Sequence, residues 1–384
     1  MSFEPWHFPG GLTPDTLRTF FVWCARQSVS DIHIQGGNHI VVGRYGKLEK
    51  ASPFVIAEDT LSKLTDAIFN PELRSMVRGG NGVDRALQLD GDMNNRYGLA
   101  RGERIRFRCN FTQGTAGRED VTMALAMRVI PSDIPPLSSL HIEDALRDAL
   151  LPHKGLGLVC GETGSGKSTL LASTYRHCCD TWPDRKIITA EDPVEYVIGR
   201  PGDLLPPVQS QVGRDVSSFA EALRLALRRA PRIIGVGEIR DLATLSAAVA
   251  CAQSGHLCLS TMHTHSVGET IPRALLLFPS EVREAAARDL LGVMQYVVIQ
   301  QLLRTRDGKR CAVREFVVFD RTLRYALADR DYRQWGHYLD DQLAQERCNL
   351  AWKAFRLFQQ GIIDRDEVLT VVSPRELHEM ESTS

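Results

Sequence analysis

Residues 155–171, GLGLVCGETGSGKSTLL, read as a short apolar strand, a glycine-rich loop and the start of a helix. Within them, Gly161, Glu162, Thr163, Gly164, Ser165, Gly166, Lys167 and Ser168 satisfy the spacing G-x-x-x-x-G-K-[ST]. Gly164 and Gly166 can take backbone angles that residues with a Cβ avoid, so consecutive N–H groups can turn inward around a phosphate. The helix that follows points its positive end at the same anion. Lys167 would reach the β and γ phosphates, and the Ser168 hydroxyl would hold Mg²⁺. Gly161, Thr163, Ser165 and Thr169 complete the candidate cradle, whose implied ligand is a nucleoside triphosphate.

Transfer of a phosphoryl group to water also needs a group that orients the water, and a carboxylate at a strand end beside the γ-phosphate would serve. Glu238 follows the apolar run 232–236, and Glu191 follows the β-branched run 186–190. Each is either that carboxylate or a buried structural or helix-capping acid. His256 and His263 flank a strand at 257–261, a spacing with no metal signature. They are ordinary histidines or phosphate sensors, and the expectation taken is that both sit at the nucleotide end of the sheet. Gly237 stands where many phosphate-loop enzymes place an Mg²⁺-holding aspartate, which leaves Ser168 and water-mediated contacts for the ion.

These groups need a scaffold. From Leu137 onward strands alternate with helices, which argues for a parallel sheet covered on both faces, with ligands at the carboxyl ends of the strands. Ser218 and Asp241 can each cap a helix. A long helix is expected at 280–303, a strand at 313–319, and helices at 344–360 and 374–380. Upstream, Thr13 and Pro14 open a helix that places Leu17, Phe20, Phe21 and Cys24 on one face. A hairpin is expected from 31–34 and 40–48, then a helix at 57–69. At 103–111, ERIRFRCNF, strict alternation sets Arg104, Arg106, Arg108 and Asn110 against Ile105, Phe107, Cys109 and Phe111. Residues 121–130 alternate as well, giving a helix-flanked antiparallel sheet whose arginine face is either solvated or turned toward an anion. The proline-rich stretch 131–136 is the best domain boundary. The expected division is a first domain at 1–130, a linker at 131–137 and a second domain at 138–384.

Composition sets outer bounds. The 384 residues and ordinary apolar and charged fractions suit a two-domain globular protein. A net charge of −1 gives no global reason to bind nucleic acid, and none is expected as a direct partner. Nine scattered cysteines without a CxxC pair indicate reduced thiols in a cytoplasmic protein, not a zinc site or disulfides. No apolar run approaches the roughly 18 residues of a membrane span, and the N-terminus lacks signal-peptide features, so membrane contact should be peripheral.

Taken together, TAEDPVEY (189–196), RRAPRIIGVGEIRD (228–241) and SGHLCLSTMHTHS (254–266) resemble the Asp box, atypical Walker B and His box of the secretion ATPases. Their order after the Walker A loop matches too, and SDIHI and RFRCN resemble that family's N-terminal signatures. GETIPRALLLFP resembles the pilus-retraction motors of the PilT type. REFVVFD and FQQGIIDRDEV are more similar to the DotB and TraJ ATPases of type IVB secretion and conjugation, the subgroup preferred here. The tetracysteine zinc module of type II secretion ATPases is missing, and His265 stands where retraction motors resemble one another in having asparagine.

The resemblance implies an α/β chain, a PAS-like α+β N-terminal domain followed by a RecA-like P-loop ATPase domain, assembled as a homohexamer. ATP is the implied nucleotide, docking on membrane-embedded secretion or conjugation components the implied partnership, and the bacterial inner membrane's cytoplasmic side the implied place. Arg106 and Arg108 would complete the site over the phosphates, Glu238 would be the catalytic carboxylate, Glu191 would belong to the Asp box, and His263 would contact the γ-phosphate region. A nucleic-acid motor and a nucleotide-gated adaptor are the readings from other classes. The absence of an N-K-x-D tetrapeptide counts against GTP.

Overall fold

The computed structural model describes residues 4–116, 119–130 and 133–383. The chain divides into two compact units, Met1–Asp133 and Ile134–Ser384.

In the first unit the Thr13 hydroxyl accepts from the amide of Thr16 at 3.1 Å and Pro14 supplies a fixed φ, opening helix α1 (Pro14–Arg26). Strands β1 (Val29–Gln35), β2 (Asn38–Arg44) and β3 (Lys47–Ile56) follow, then α2 (Glu58–Ile68), α3 (Pro71–Arg78), β4 (Val83–Asp90), β5 (Arg104–Ala116) and β6 (Glu119–Ile130). They form an antiparallel sheet of order β3-β2-β1-β6-β5-β4. The stretch 40–48, expected as one strand, is two. Tyr45 and Gly46, at φ 49° and 76°, make the tight turn between β2 and β3.

On β5 the alternation holds. Ile105, Phe107, Cys109 and Phe111 are buried in the unit's core, where Phe21 of α1 meets Phe107 with ring centroids 5.7 Å apart. The opposite face is of mixed charge. Arg104 lies 2.5 Å from Asp90, and Arg128 of β6, opposite Arg108 in register, lies 2.9 Å from Asp31.

The second unit begins inside its own core. Ile134 and Leu137 are buried there, so residues 134–137 are anchored structure, whereas a stiff spacer was expected over 131–137. Pro131 and Ser132, the first residues of that spacer, lie outside the described residues. A 3-10 turn (Leu137–Leu140) and α4 (Asp144–Ala149) lead to β7 (Gly155–Cys160), α5 (Lys167–Thr181), β8 (Ile187–Glu191), β9 (Val208–Gln211), α6 (Phe219–Leu227), β10 (Ile233–Val236), α7 (Leu242–Gln253) and β11 (Leu257–Met262). Next come α8 (Val267–Leu276), α9 (Arg283–Val293), β12 (Met294–Arg304) and β13 (Arg310–Val318). Helices α10 (Arg321–Ala328), α11 (Trp335–Gln345), α12 (Leu350–Gln359), α13 (Arg365–Val368) and α14 (Pro374–Thr383) complete the unit.

Its sheet has the order β13-β12-β7-β11-β10-β8-β9, and only β13 runs antiparallel to its neighbour. Every residue of β7, β10 and β11 is buried, which is why these strands are unbroken apolar runs. Each large aliphatic side chain buried there contributes about 1.5–3 kcal/mol. Ser218 and Asp241 cap α6 and α7, accepting from the amides of Glu221 and Thr244 at 3.2 and 2.8 Å.

The helix expected at 280–303 is instead α9 followed by β12. Tyr296, Val297, Val298 and Ile299 favour extended backbone, and β12 lies in the sheet between β7 and β13. The helix expected across 344–360 is also interrupted: Asn349 caps α12 by accepting from the amide of Trp352 at 3.0 Å.

Candidate active site

Strand β7 delivers the loop 161–166 to the amino end of the 15-residue helix α5. Gly161, Gly164 and Gly166 have φ of 135°, 84° and 85°, in the region that favours glycine. A Cβ on Gly161 would come within 2.3 Å of the Gln300 carbonyl oxygen, so the loop sits directly on β12. The buried hydroxyl of Ser165 has no hydrogen-bond partner among the described residues, as suits a cradle built to receive an anion. Lys167 is buried, and its Nζ donates to the carbonyls of Gly161 at 2.8 Å and Glu162 at 2.6 Å. Burial pulls its pKa below the ordinary value, opposed by Cys160 and by Glu238, Glu195 and Glu162. Thr163 and Ser168 are exposed, whereas Thr169 is half-buried and spends its hydroxyl on Tyr196, 2.8 Å away.

Glu238 leaves the end of β10 and is only 9% exposed. Its carboxylate lies 3.5 Å from Nε2 of His263, which leaves the end of β11. The Arg240 guanidinium lies against the same oxygen as a charge contact, not an aligned hydrogen bond. Burial pulls the His263 pKa down, and Lys167 lowers it further against the opposing pull of Glu238. Lys167, Glu238 and His263 therefore form one electrostatic cluster.

Glu191, at the end of β8, accepts from Thr189 Oγ1 at 2.5 Å and Gln209 Nε2 at 2.9 Å, and burial raises its pKa. With Ser168, Tyr196 and Gly237 it lines a cavity of about 50 Å³. A larger cavity of about 290 Å³ opens beside Gly161 and Glu162 and reaches His265, Gln300 and Glu315.

One expected member is elsewhere. His256 precedes β11, and its carbonyl accepts from the amide of Gly155 at the start of β7. A six-residue strand spans roughly 20 Å, so His256 lies at the opposite end of β11 from His263. Its ring bonds Ser254 at 3.0 Å. Arg106 and Arg108 belong to the first unit, half-buried and exposed respectively on β5. Sequence reasoning passed over Gln300 and Arg314, which lie under the loop, and over the charge of Glu195 near Lys167. The Asp-box stretch 189–196 could have flagged Glu195; nothing flagged Gln300, which sits in a stretch read as helix.

A family model described as type II/IV secretion system protein matches residues 25–355. The chain belongs to that family. This secretion ATPase is similar to the type IV pilus retraction ATPase PilT of Pseudomonas aeruginosa, at 31% identity over 352 residues covering 91% of this chain and 96% of PilT. Among solved structures it is similar to the Legionella pneumophila ATPase DotB, at 32% identity and a TM-score of 0.85, covering 94% of this chain and 96% of DotB. It is also similar to the pilus retraction motor PilT with bound ADP, at 29% identity and a TM-score of 0.72, covering 94% and 99%. The architecture is that of these ATPases: an N-terminal PAS-like α+β unit followed by a RecA-like P-loop unit.

Proposed function

We propose that this secretion ATPase is a hexameric ring motor that energises a type IVB secretion or conjugation apparatus, docked on membrane-embedded components at the cytoplasmic face. The observation that carries the catalytic part is the buried Glu238 at a strand end, clustered with Lys167 and His263. Such a carboxylate can accept a hydrogen bond from water and orient it toward a phosphorus atom held by the loop. An adaptor that only gates on nucleotide would not need it.

In this reading the N–H groups of 161–168 and the ammonium of Lys167 hold the β and γ phosphates of ATP, once the lysine leaves the carbonyls of Gly161 and Glu162. His263, kept neutral by burial and by Lys167, contacts the γ-phosphate region. Glu191 supports the site from the Asp box, and Arg106 and Arg108 complete it from a first unit, their own or a neighbour's. Mg²⁺ would be held by the exposed Ser168 hydroxyl, beside a small cavity that Glu191 also lines, and would neutralise charge on the phosphates.

The type IVB assignment is favoured by the higher TM-score to DotB, 0.85 against 0.72 for PilT. A pilus-retraction motor is the second reading, favoured by the end-to-end match to PilT. Among the described residues no helix is long and apolar enough to cross a membrane, which leaves docking to surface contacts. Deleting the gene and restoring it as wild type or Glu238→Gln separates the two readings. The proposal expects transfer of protein or DNA to recipient cells to fail with Glu238→Gln while twitching is unchanged. Loss of twitching with transfer intact would overturn it in favour of retraction.

A further inference from the structure

Gln300 of β12 and Arg314 of β13 are each 3% exposed, and neither contributes an atom to the candidate catalytic cluster. Gln300 Nε2 donates to the carbonyl of Ser165 at 2.7 Å. Arg314 Nε donates to Gln300 Oε1 at 2.7 Å, and its two terminal nitrogens donate to the carbonyls of Leu140 at 3.1 Å and His141 at 3.4 Å. A continuous buried chain of hydrogen bonds thus runs from residues 140–141, a few positions after the junction of the two units, to the middle of the phosphate loop.

The chemistry of the links fixes their direction. Arg314 carries only donors, so it demands the carbonyl end of the Gln300 amide and leaves the NH₂ end for Ser165. A peptide is planar and trans, so holding the Ser165 oxygen on one side turns the Gly166 N–H to the other. There is no slack between loop and strand: Cβ atoms on Gly161 and Gly166 would lie 2.3 Å from the Gln300 carbonyl oxygen and 2.9 Å from its Nε2. At the other end, His141 is held at φ 46°, a left-handed conformation uncommon outside glycine. The hydrogen bonds found for Arg314 all go to neutral oxygens. The nearby Glu143 acts on it only through charge and is itself paired with Lys353 at 2.7 Å. A buried cation held by neutral partners is costly, and an apolar pair would pack more cheaply.

We propose that Gln300 and Arg314 are positioning residues: a relay that sets the Ser165–Gly166 peptide against residues 137–141 near the start of the second unit, so that nucleotide binding and the state of that segment report on each other. The relay rests on reading 161–168 as the nucleotide loop, and ADP binding by the wild type checks that reading separately. The test is amide hydrogen exchange of the full chain with and without ADP, alongside ADP affinity and thermal melting, for wild type, Gln300→Ala, Arg314→Met and the double variant. In wild type ADP should slow exchange at both 161–168 and 137–143. Either single variant should weaken ADP binding on the order of tenfold and uncouple 137–143 from ADP while some protection remains at 161–168. The double variant should lose no more affinity than the worse single variant, as members of one chain do. Arg314→Met keeps most of the volume, so a stability effect alone would lower the melting point without moving affinity or the response of 137–143. A wild type that binds ADP without slowing 137–143, unchanged coupling in the variants, or additive losses in the double variant would each overturn the relay.

Discussion

His263 lies beside Glu238, and its pKa is held below the ordinary 6.5, first by burial and then by Lys167. The sign of the consequence follows from linkage. A depressed pKa means that the unfolded chain binds the proton more readily, so the stability associated with neutral His263 is present above pH 6.5 and lost as the pH falls through the folded value. His263→Gln should therefore gain stability relative to wild type on acidification below 6.5, read as a smaller drop in melting temperature. A larger drop than wild type shows would contradict this electrostatic picture. The placement of the loop glycines, Lys167 and Glu238 was the most legible in the sequence, because glycine spacing, a lysine and a strand-end acid each have a local reason to be where they are. His256 was misplaced because residues flanking a strand are close in sequence yet a full strand length apart in space. Gln300 was invisible because an amide supporting a loop from a neighbouring strand leaves no local pattern.

Among the elements, β7 positions the loop, and its packing explains one of its glycines. Gly157 pairs in register with Tyr296 of β12, and a Cβ on it would meet the tyrosine ring at 2.4 Å. The fully buried Tyr296 in turn donates its hydroxyl to the carbonyl of Leu150 at 3.2 Å, tying the strand to the segment before it. Gly157→Ala should overpack this contact and destabilise the protein by about 1–3 kcal/mol, seen as a lower urea midpoint. An unchanged midpoint would mean that the sheet yields there. The alternating strand β5 was legible because its two faces meet different surroundings. The doubly buried β12 was not: with apolar packing on both sides, period gives no signal, and only its β-branched and aromatic content speaks for a strand.

For the whole molecule, two units each close their own core, and the family match spans both. That much was readable from the order of motifs and the proline-rich stretch before Leu137. The second unit's early start at Ile134 was not, since burial of Ile134 and Leu137 depends on the folded sheet. In the proposed reaction the loop at 161–168 and Glu238 together hydrolyse ATP. The most direct measurement is steady-state ATP hydrolysis by wild type and Glu238→Gln, with ATP affinity measured on the same samples. Glu238→Gln should bind ATP as wild type does but turn over on the order of 10²-fold more slowly or worse. Full turnover by Glu238→Gln, with ATP bound, would contradict it.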